Sequence, residues 1–175
     1  MLFCRTKNPD KIVAMASILM LGAALPLMGA IIAQFGFGLA PCHFCLLQRY
    51  PYLVVMAMGA FSLLVERGGL RWRFCVAIGI CGLLATGILG VIHSGIEGGW
   101  IHYTGGCVAA PLADHSIEAL RASIANAPLV SCDQPMVEFL GISMAGWNVL
   151  WAAFVILLVA LQYRFDKKRY DSKHA

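Results

Sequence analysis

The sequence contains few charged residues. Asp, Glu, Lys and Arg make up 13% of its 175 residues, against about 25% in soluble domains. Hydrophobic residues make up 60%, above the usual level of about 45–50%. The chain also has no dinucleotide-binding glycine fingerprint, phosphate loop, H-E-x-x-H motif, haem-attachment motif or iron–sulfur cysteine spacing. These absences exclude an ordinary soluble domain and the commonest protein-bound redox cofactors.

Long apolar runs take the place of the missing charge. A transmembrane helix needs about 20 mostly apolar residues, and four stretches meet this requirement: 12–33, 46–65, 74–92 and 144–163. We therefore predict an all-α membrane protein, a four-transmembrane-helix bundle that forms a single domain over residues 1–175.

The first apolar run resembles a signal peptide only superficially. It exceeds the length of about 7–15 residues typical of a signal core, and no A-x-A cleavage site closes it. Pro26 lies inside it. We expect a neighbouring helix to satisfy the carbonyl that this proline leaves unpaired.

The basic residues predict how the chain crosses the membrane. Eleven of the thirteen Lys and Arg residues lie in the N-terminal head, the connection 66–73 and the C-terminal tail. Alternating helices place these three segments on one side, and such a bias marks the cytoplasmic face. Both termini are therefore predicted to be cytoplasmic, with loops 34–45 and 93–143 outside. A basic charge arranged this way anchors topology and does not indicate nucleic-acid binding.

The same topology sorts the seven cysteines. Four of them fall on the outer side, where disulfides persist: Cys42, Cys45, Cys107 and Cys132. The other three are Cys4 in the head and Cys75 and Cys81 within the third apolar run. Because Cys75 and Cys81 are six residues apart, they do not share a helix face.

The stretch Pro41–Tyr50, PCHFCLLQRY, carries the chemistry. A second helix that begins near Cys42 places Cys45 in its first turn, where unpaired N–H groups stabilise a thiolate. Arg49 follows four residues later on the same face and can donate to a thiolate or a carbonyl oxygen. The alternative for Arg49 is a guanidinium that extends to the lipid headgroups. His93, at the outer end of the third run, could assist with protons or be a plain boundary residue.

Other uses of a C-x-x-C pair fit less well. Zinc normally needs four ligands, and the other outer cysteines are 25 residues apart with no matching pair. Leu46 occupies the histidine position of a haem-attachment motif. A staple across two residues removes little unfolded-chain entropy. We therefore predict a redox pair, with no metal, whose electron acceptor at membrane depth is a lipid-soluble quinone.

The motif P-C-x-x-C-x-x-Q-R at 41–49, the second cysteine pair, and FLGISMAGWN before the last apolar run resemble the bacterial disulfide bond formation protein B (DsbB) family. The resemblance implies an enzyme of the bacterial inner membrane that reoxidises a periplasmic DsbA-like thiol oxidoreductase and reduces ubiquinone or menaquinone. It also implies a long second periplasmic loop, 93–143.

The resemblance further implies a role for each cysteine. Cys107 would form the mixed disulfide with the partner, and Cys132 would be its loop mate. Cys42 would exchange with the loop pair, and Cys45 would face the quinone with Arg49 assisting.

Two alternatives remain open at the level of sequence. One is an enzyme of the vitamin K epoxide reductase type, in which the C-x-x-C pair comes late in the chain, whereas here it comes first. The other is a membrane scaffold whose outer loops are held by two disulfides.

Overall fold

Four long helices make up most of the part of the chain that the structure describes. The computed structural model describes residues 9–65, 69–103, 117, 132, 135 and 137–174. The helices are α1 (Pro9–Ile31), α2 (His43–Ser62), α3 (Leu70–Glu97) and α4 (Met144–His174). A π-helical turn, Ile32–Gly36, extends α1, and two short strands, β1 (Glu138–Phe139) and β2 (Ile142–Ser143), precede α4. All four helices are long and apolar enough to cross a membrane, which confirms the predicted fold class.

The helix ends differ from the sequence prediction in ways that affect the site. Helix α2 begins at His43, so Cys42 is its N-cap and Cys45 lies in its first turn, as predicted. Helix α3 runs to Glu97, five residues past the predicted end at 92. His93 is therefore a helical residue, and the loop predicted over 93–143 begins later. Helix α4 starts at Met144 as predicted.

Some predictions fall outside the described residues. Cys4 and Cys107 are among these. So is the segment 112–127, except for Ile117, which is helical; the apolar periodicity of this segment predicts a helix that lies on the bilayer surface or packs on the loop.

The helices pack in a ring, α1 against α2, α2 against α3, α3 against α4, and α4 against α1. Their shared core contains Met15, Leu19, Val55, Leu83 and Val155, none more than 1% exposed. Large apolar side chains also cover the outside of the bundle, among them Leu25, Ile88 and Leu157. Residues of this kind are stable on an outer surface that faces lipid hydrocarbon, since lipid tails are as apolar as a leucine side chain.

Glycines let α3 approach its two neighbours. A Cβ on Gly82 would lie 2.7 Å from Cγ2 of Val55 and 3.2 Å from the carbonyl oxygen of Pro51 in α2. A Cβ on Gly90 would lie 2.8 Å from Cγ2 of Val149 in α4. Small residues at membrane helix contacts allow close backbone approach, which strengthens van der Waals packing where the hydrophobic effect contributes little.

A cross-helix hydrogen bond makes Pro26 tolerable. Pro26 has no N–H to donate to the carbonyl of Gly22, one turn earlier in α1. The indole N–H of Trp151 in α4 donates to that carbonyl at 2.7 Å. The expectation that a neighbouring helix satisfies the freed carbonyl is confirmed.

The segment before α4 forms a hairpin that the sequence analysis did not predict. Glu138 pairs with Ser143 and Phe139 with Ile142. Leu140 and Gly141 at the turn both have positive φ, 54° and 73°, as a type I′ hairpin requires. The Ser143 hydroxyl accepts a hydrogen bond from the Gly146 N–H at 3.2 Å, which caps the N-terminus of α4.

Substitution of Gly82 by alanine tests the close contact between α2 and α3. We expect Gly82→Ala to destabilise the protein by about 1–3 kcal/mol, because the new methyl group overpacks against Val55 and the Pro51 carbonyl. Gly87→Ala is the matched control on the same helix, since its Cβ would meet only the Cβ of Ala152 at 3.6 Å. Thermal unfolding in detergent measures both variants. Equal melting temperatures for the two would contradict the packing assignment.

Candidate functional site

The cysteine pair lies at the start of α2, with the two thiols in contact. Cys42 has extended backbone angles, φ −72° and ψ 171°. Its sulfur accepts a hydrogen bond from the Cys45 N–H at 3.2 Å, as an N-cap side chain does. The two Sγ atoms are 2.7 Å apart, so a small side-chain rotation brings them to disulfide bonding distance. Cys42 is buried and Cys45 is half-buried.

His93 on α3 reaches the buried member of this pair. Its Nε2 lies 3.5 Å from the Cys42 Sγ and 3.6 Å from Oε1 of Glu97, one turn further along α3. The imidazole stacks on the ring of Phe44, with ring centroids 5.6 Å apart. No sequence pattern points to a role for Phe44, which lies inside the C-x-x-C spacer. It holds His93 against the pair.

Cys132 packs on the same side of the pair as Cys42. It is 8% exposed and shares an apolar cluster with Cys42, Phe44 and Ile96. Burial raises the pKa of the Cys132 thiol. The structure thus brings together three of the four predicted redox cysteines, and Cys107 lies outside the described residues.

The two thiols of the pair are not equivalent in their protonation. The hydrogen bond with the Cys45 thiol, followed by burial, raises the pKa of the Cys42 thiol to about 12. When the reduced pair holds a single proton, that proton therefore resides on Cys42.

Arg49 is turned into the bundle and held by the end of α1. Its Nη1 donates to Oε1 of Gln34 at 2.8 Å, and its Nη2 donates to the carbonyl of Ala30 at 3.5 Å. Gln34 lies in the π-helical turn. The Nε atom of Arg49 is buried and has no hydrogen-bond partner among the described residues.

A cavity of about 630 Å³ opens between α1, α2 and α4 on the Cys45 side of the pair. Its volume falls within the range of about 300–1,000 Å³ typical of small-molecule sites. Most of its wall is apolar, with Leu25, Trp147 and Trp151 among the contributors. Cys45 and Arg49 both line it, as their shared helix face predicts. An apolar ligand in this cavity would contact the Cys45 sulfur and the guanidinium together.

A polar network behind the pair is the feature that sequence reasoning missed. The hydroxyl of Tyr52 donates to Oδ1 of Asn148 at 2.6 Å. Nδ2 of Asn148 donates to Oε1 of Gln48 at 3.0 Å. Nε2 of Gln48 lies 3.4 Å from Nδ1 of His93. Uncharged polar residues in otherwise apolar spans were the available signal, because each must find a partner inside a membrane.

Cys42, Cys45 and His93 also form a group that could hold a metal ion, with ligand atoms within 4.8 Å of one another. A tetrahedral zinc site takes four ligands, and this group supplies three. The predicted absence of a metal stays a prediction.

The comparisons with known proteins agree with this geometry. The family model for "Disulfide bond formation protein DsbB" matches residues 13–162. Disulfide bond formation protein B of Pasteurella multocida is 29% identical over 154 residues, which cover 82% of this chain and 81% of that protein. Disulfide bond formation protein B 1 of Pseudomonas fluorescens is 26% identical over 151 residues, 80% and 82% of the two chains.

An uncharacterized protein of Rickettsia prowazekii is 24% identical over 160 residues, 90% of this chain and 91% of that one. No solved structure is a significant match. The four membrane-spanning helices, the paired thiols and a family match over most of the chain lead to one conclusion. The chain belongs to the DsbB family, as a multi-pass bacterial membrane oxidoreductase that acts in disulfide bond formation.

Proposed function

We propose that this protein is a dithiol:quinone oxidoreductase that reoxidises a periplasmic DsbA-like partner and passes the electrons to a membrane quinone. One observation carries the proposal. Cys45 and Arg49 line an apolar cavity of about 630 Å³, whereas Cys42 is not among the lining residues and packs in a buried cluster with Cys132. The pair therefore has one sulfur directed to a lipid-soluble oxidant and one directed to another protein thiol.

The cavity fits a quinone by shape and by its polar groups. A quinone combines an apolar ring and tail with two carbonyl oxygens that need hydrogen-bond donors. Arg49 lines the cavity, and its guanidinium would donate to one such oxygen. Trp147 and Trp151 supply flat apolar walls. When bound, the quinone supplies the two-electron oxidising power. The chain supplies the thiols, the cation and an enclosed site.

The route of electrons follows thiol–disulfide exchange. A partner thiolate attacks the Cys107 sulfur of a Cys107–Cys132 disulfide, and Cys132 leaves with the electron pair. Cys132 then attacks Cys42 of the Cys42–Cys45 disulfide, and Cys45 leaves as a thiolate on the cavity side. The contact between Cys132 and Cys42 supports this second exchange.

Two further exchanges complete the cycle. The second thiolate of the partner attacks the partner sulfur of the mixed disulfide, which releases the oxidised partner and the Cys107 thiolate. Cys107 attacks Cys132, which re-forms the loop disulfide and releases Cys42, and the Cys42–Cys45 pair would give its two electrons to a bound quinone as that disulfide re-forms. In sum, one partner dithiol and one quinone give one disulfide and one hydroquinone, with two electrons and two protons transferred.

The charge distribution supports a periplasmic site. Arg71 and Arg73 lie at the start of α3 and Arg164 lies far along α4, at the end of the bundle opposite Cys42. Arginine near membrane helix ends favours the cytoplasmic side. The cysteine pair would then face the compartment in which protein disulfides form.

The first prediction concerns Cys45. We expect Cys45→Ser to reduce quinone reduction to background, because no other thiol among the described residues lines the cavity. Spectroscopic measurement of quinone loss, with purified protein and a reduced dithiol partner, provides the test. Cys81→Ser is the matched control, since Cys81 is exposed on the outside of α3. Full activity in Cys45→Ser would rule out the assigned role.

The second prediction concerns Cys107. We expect Cys107→Ser to abolish oxidation of the soluble partner, while a small dithiol that reaches the Cys42–Cys45 pair directly still drives quinone reduction. The redox state of the partner is followed by thiol alkylation and gel shift. Unchanged oxidation of the partner would show that Cys107 is not the point of attack.

The third prediction concerns Arg49. We expect Arg49→His to raise the apparent KM for quinone by about 10- to 100-fold, the effect of losing a charged hydrogen bond. Steady-state kinetics over a range of quinone concentrations measure the change. Arg71→His, at the far end of the bundle, serves as control. An unchanged KM in Arg49→His would remove Arg49 from the quinone site.

A further inference from the structure

The polar network that ends at Cys42 runs through three helices in one direction. It starts at the Tyr52 hydroxyl on α2 and passes through Asn148 on α4, back to Gln48 on α2 and on to His93 on α3. Gln48, Tyr52 and His93 are each less than 9% exposed. With little water available, each donor and acceptor must be satisfied within the network.

A backbone carbonyl sets the orientation of the first amide. Nδ2 of Asn148 lies 3.3 Å from the carbonyl oxygen of Thr86, which can only accept. The Asn148 nitrogen must therefore face Thr86. The same nitrogen lies 3.0 Å from the Gln48 side chain, so the Gln48 atom that faces it must be the oxygen. The opposite orientation of either amide would place two donors or two acceptors against each other.

The orientation of Gln48 determines which nitrogen of His93 carries the hydrogen. With its oxygen toward Asn148, Gln48 directs its NH₂ group at Nδ1 of His93, 3.4 Å away. Nδ1 must then accept, and in a neutral imidazole the hydrogen resides on Nε2. The surroundings of Nε2 agree, because the Glu97 carboxylate that faces it can only accept and the Cys42 sulfur is able to accept.

We propose that this hydrogen-bond chain positions the proton of the reduced cysteine pair. Nε2–H of His93 donates to the Cys42 sulfur, so the Cys42 S–H is directed at Cys45, 2.7 Å away. Cys42 remains a thiol and Cys45 is the thiolate on the cavity side, while the proton that Cys45 loses passes to water. Gln48 and Asn148 are positioning residues that act through His93. The inference rests on the proposed function only in taking Cys45 as the electron donor.

The direction of the hydrogen bonds affects the charge on Cys45, because every donor in the network points toward that sulfur. Successive hydrogen bonds of one sense polarise each other, and the negative end of this series is the Cys45 sulfur. The thiolate, not the thiol, is the nucleophile. A reversed His93 tautomer would turn Nε2 into an acceptor for the Cys42 S–H, and Cys45 would lose its donor.

Gln48→Glu places a hydrogen on Nδ1 of His93 with almost no change of shape. A glutamate still accepts from Asn148 but has no NH₂ group for His93, so Nδ1 must carry a hydrogen. In a neutral ring the tautomer is then reversed, because Nε2 is left without one. Gln34→Glu is the matched control. It makes the same substitution beside the same cavity, but Gln34 accepts a hydrogen bond from Arg49 and is not part of the hydrogen-bond network that ends at Cys42.

The experiment reads the tautomer directly. Reduced protein with ¹⁵N-labelled histidine, and with the other four histidines replaced by glutamine, is examined by NMR in detergent at a pH at which the His93 ring is neutral. Nitrogen shifts distinguish a protonated from an unprotonated ring position. We expect Nε2–H in the parent protein and in Gln34→Glu, and Nδ1–H in Gln48→Glu. Nδ1–H in the parent protein would overturn the inference without any variant having to fold.

Alkylation of the reduced pair measures which of the two cysteines is the thiolate. A membrane-permeant maleimide, followed by peptide mass analysis, gives the ratio of Cys45 to Cys42 modification. We expect this ratio to favour Cys45 in the parent protein and to fall about tenfold in Gln48→Glu. An unchanged ratio in Gln48→Glu would overturn the role of the hydrogen-bond network in positioning the proton. Both measurements are made without quinone, so their failure is distinct from failure of the proposed function, which the Cys45→Ser assay tests.

Discussion

The first turn of α2 has to present two adjacent thiols to two different environments, and the rest of the site depends on this. Cys42, as the N-cap, points its sulfur into the packed cluster with Cys132. Cys45, one turn later, faces the apolar cavity beside Arg49. If both thiols faced the same environment, the pair would exchange with a protein thiol or react with a lipid-soluble oxidant. It could not carry electrons from one to the other. The two thiols differ in their surroundings because Cys42 is the N-cap of α2 and Cys45 lies inside its first turn.

Polar groups inside the bundle are satisfied by partners on other helices, and these same bonds determine the geometry of the site. The Gly22 carbonyl freed by Pro26 accepts from Trp151, which ties α1 to α4 along the cavity wall. Asn148 binds both Thr86 and Gln48, which ties α4 to α3 and α2. Because an unsatisfied polar group in hydrocarbon costs several kcal/mol, the helices are held in the arrangement that encloses the cavity.

Local sequence rules predicted the part of the site whose residues lie on a single helix. The apolar runs located all four spans, and the C-x-x-C position predicted Cys45 in a first turn with Arg49 on the same face. The prediction ended α3 at 92, five residues early, because His93 and Ser94 were read as the start of a loop. In the structure α3 continues to Glu97, and the buried face of its last turns carries His93. The hairpin at 138–143 was missed because Leu is a rare residue at positive φ.

The sequence by itself determined the membrane class, the number of spans, the family and the position of the thiols on α2, because hydropathy, helix periodicity and capping act over a few neighbouring residues. Only the tertiary structure decided that His93 reaches Cys42 rather than remaining at a helix boundary, that Gln34 holds Arg49, and that Asn148 meets Gln48. Those partners are separated by 15 to 100 residues along the chain. Side chains so far apart meet only through the way the helices pack, which here depends on close glycine contacts such as Gly82 against Val55.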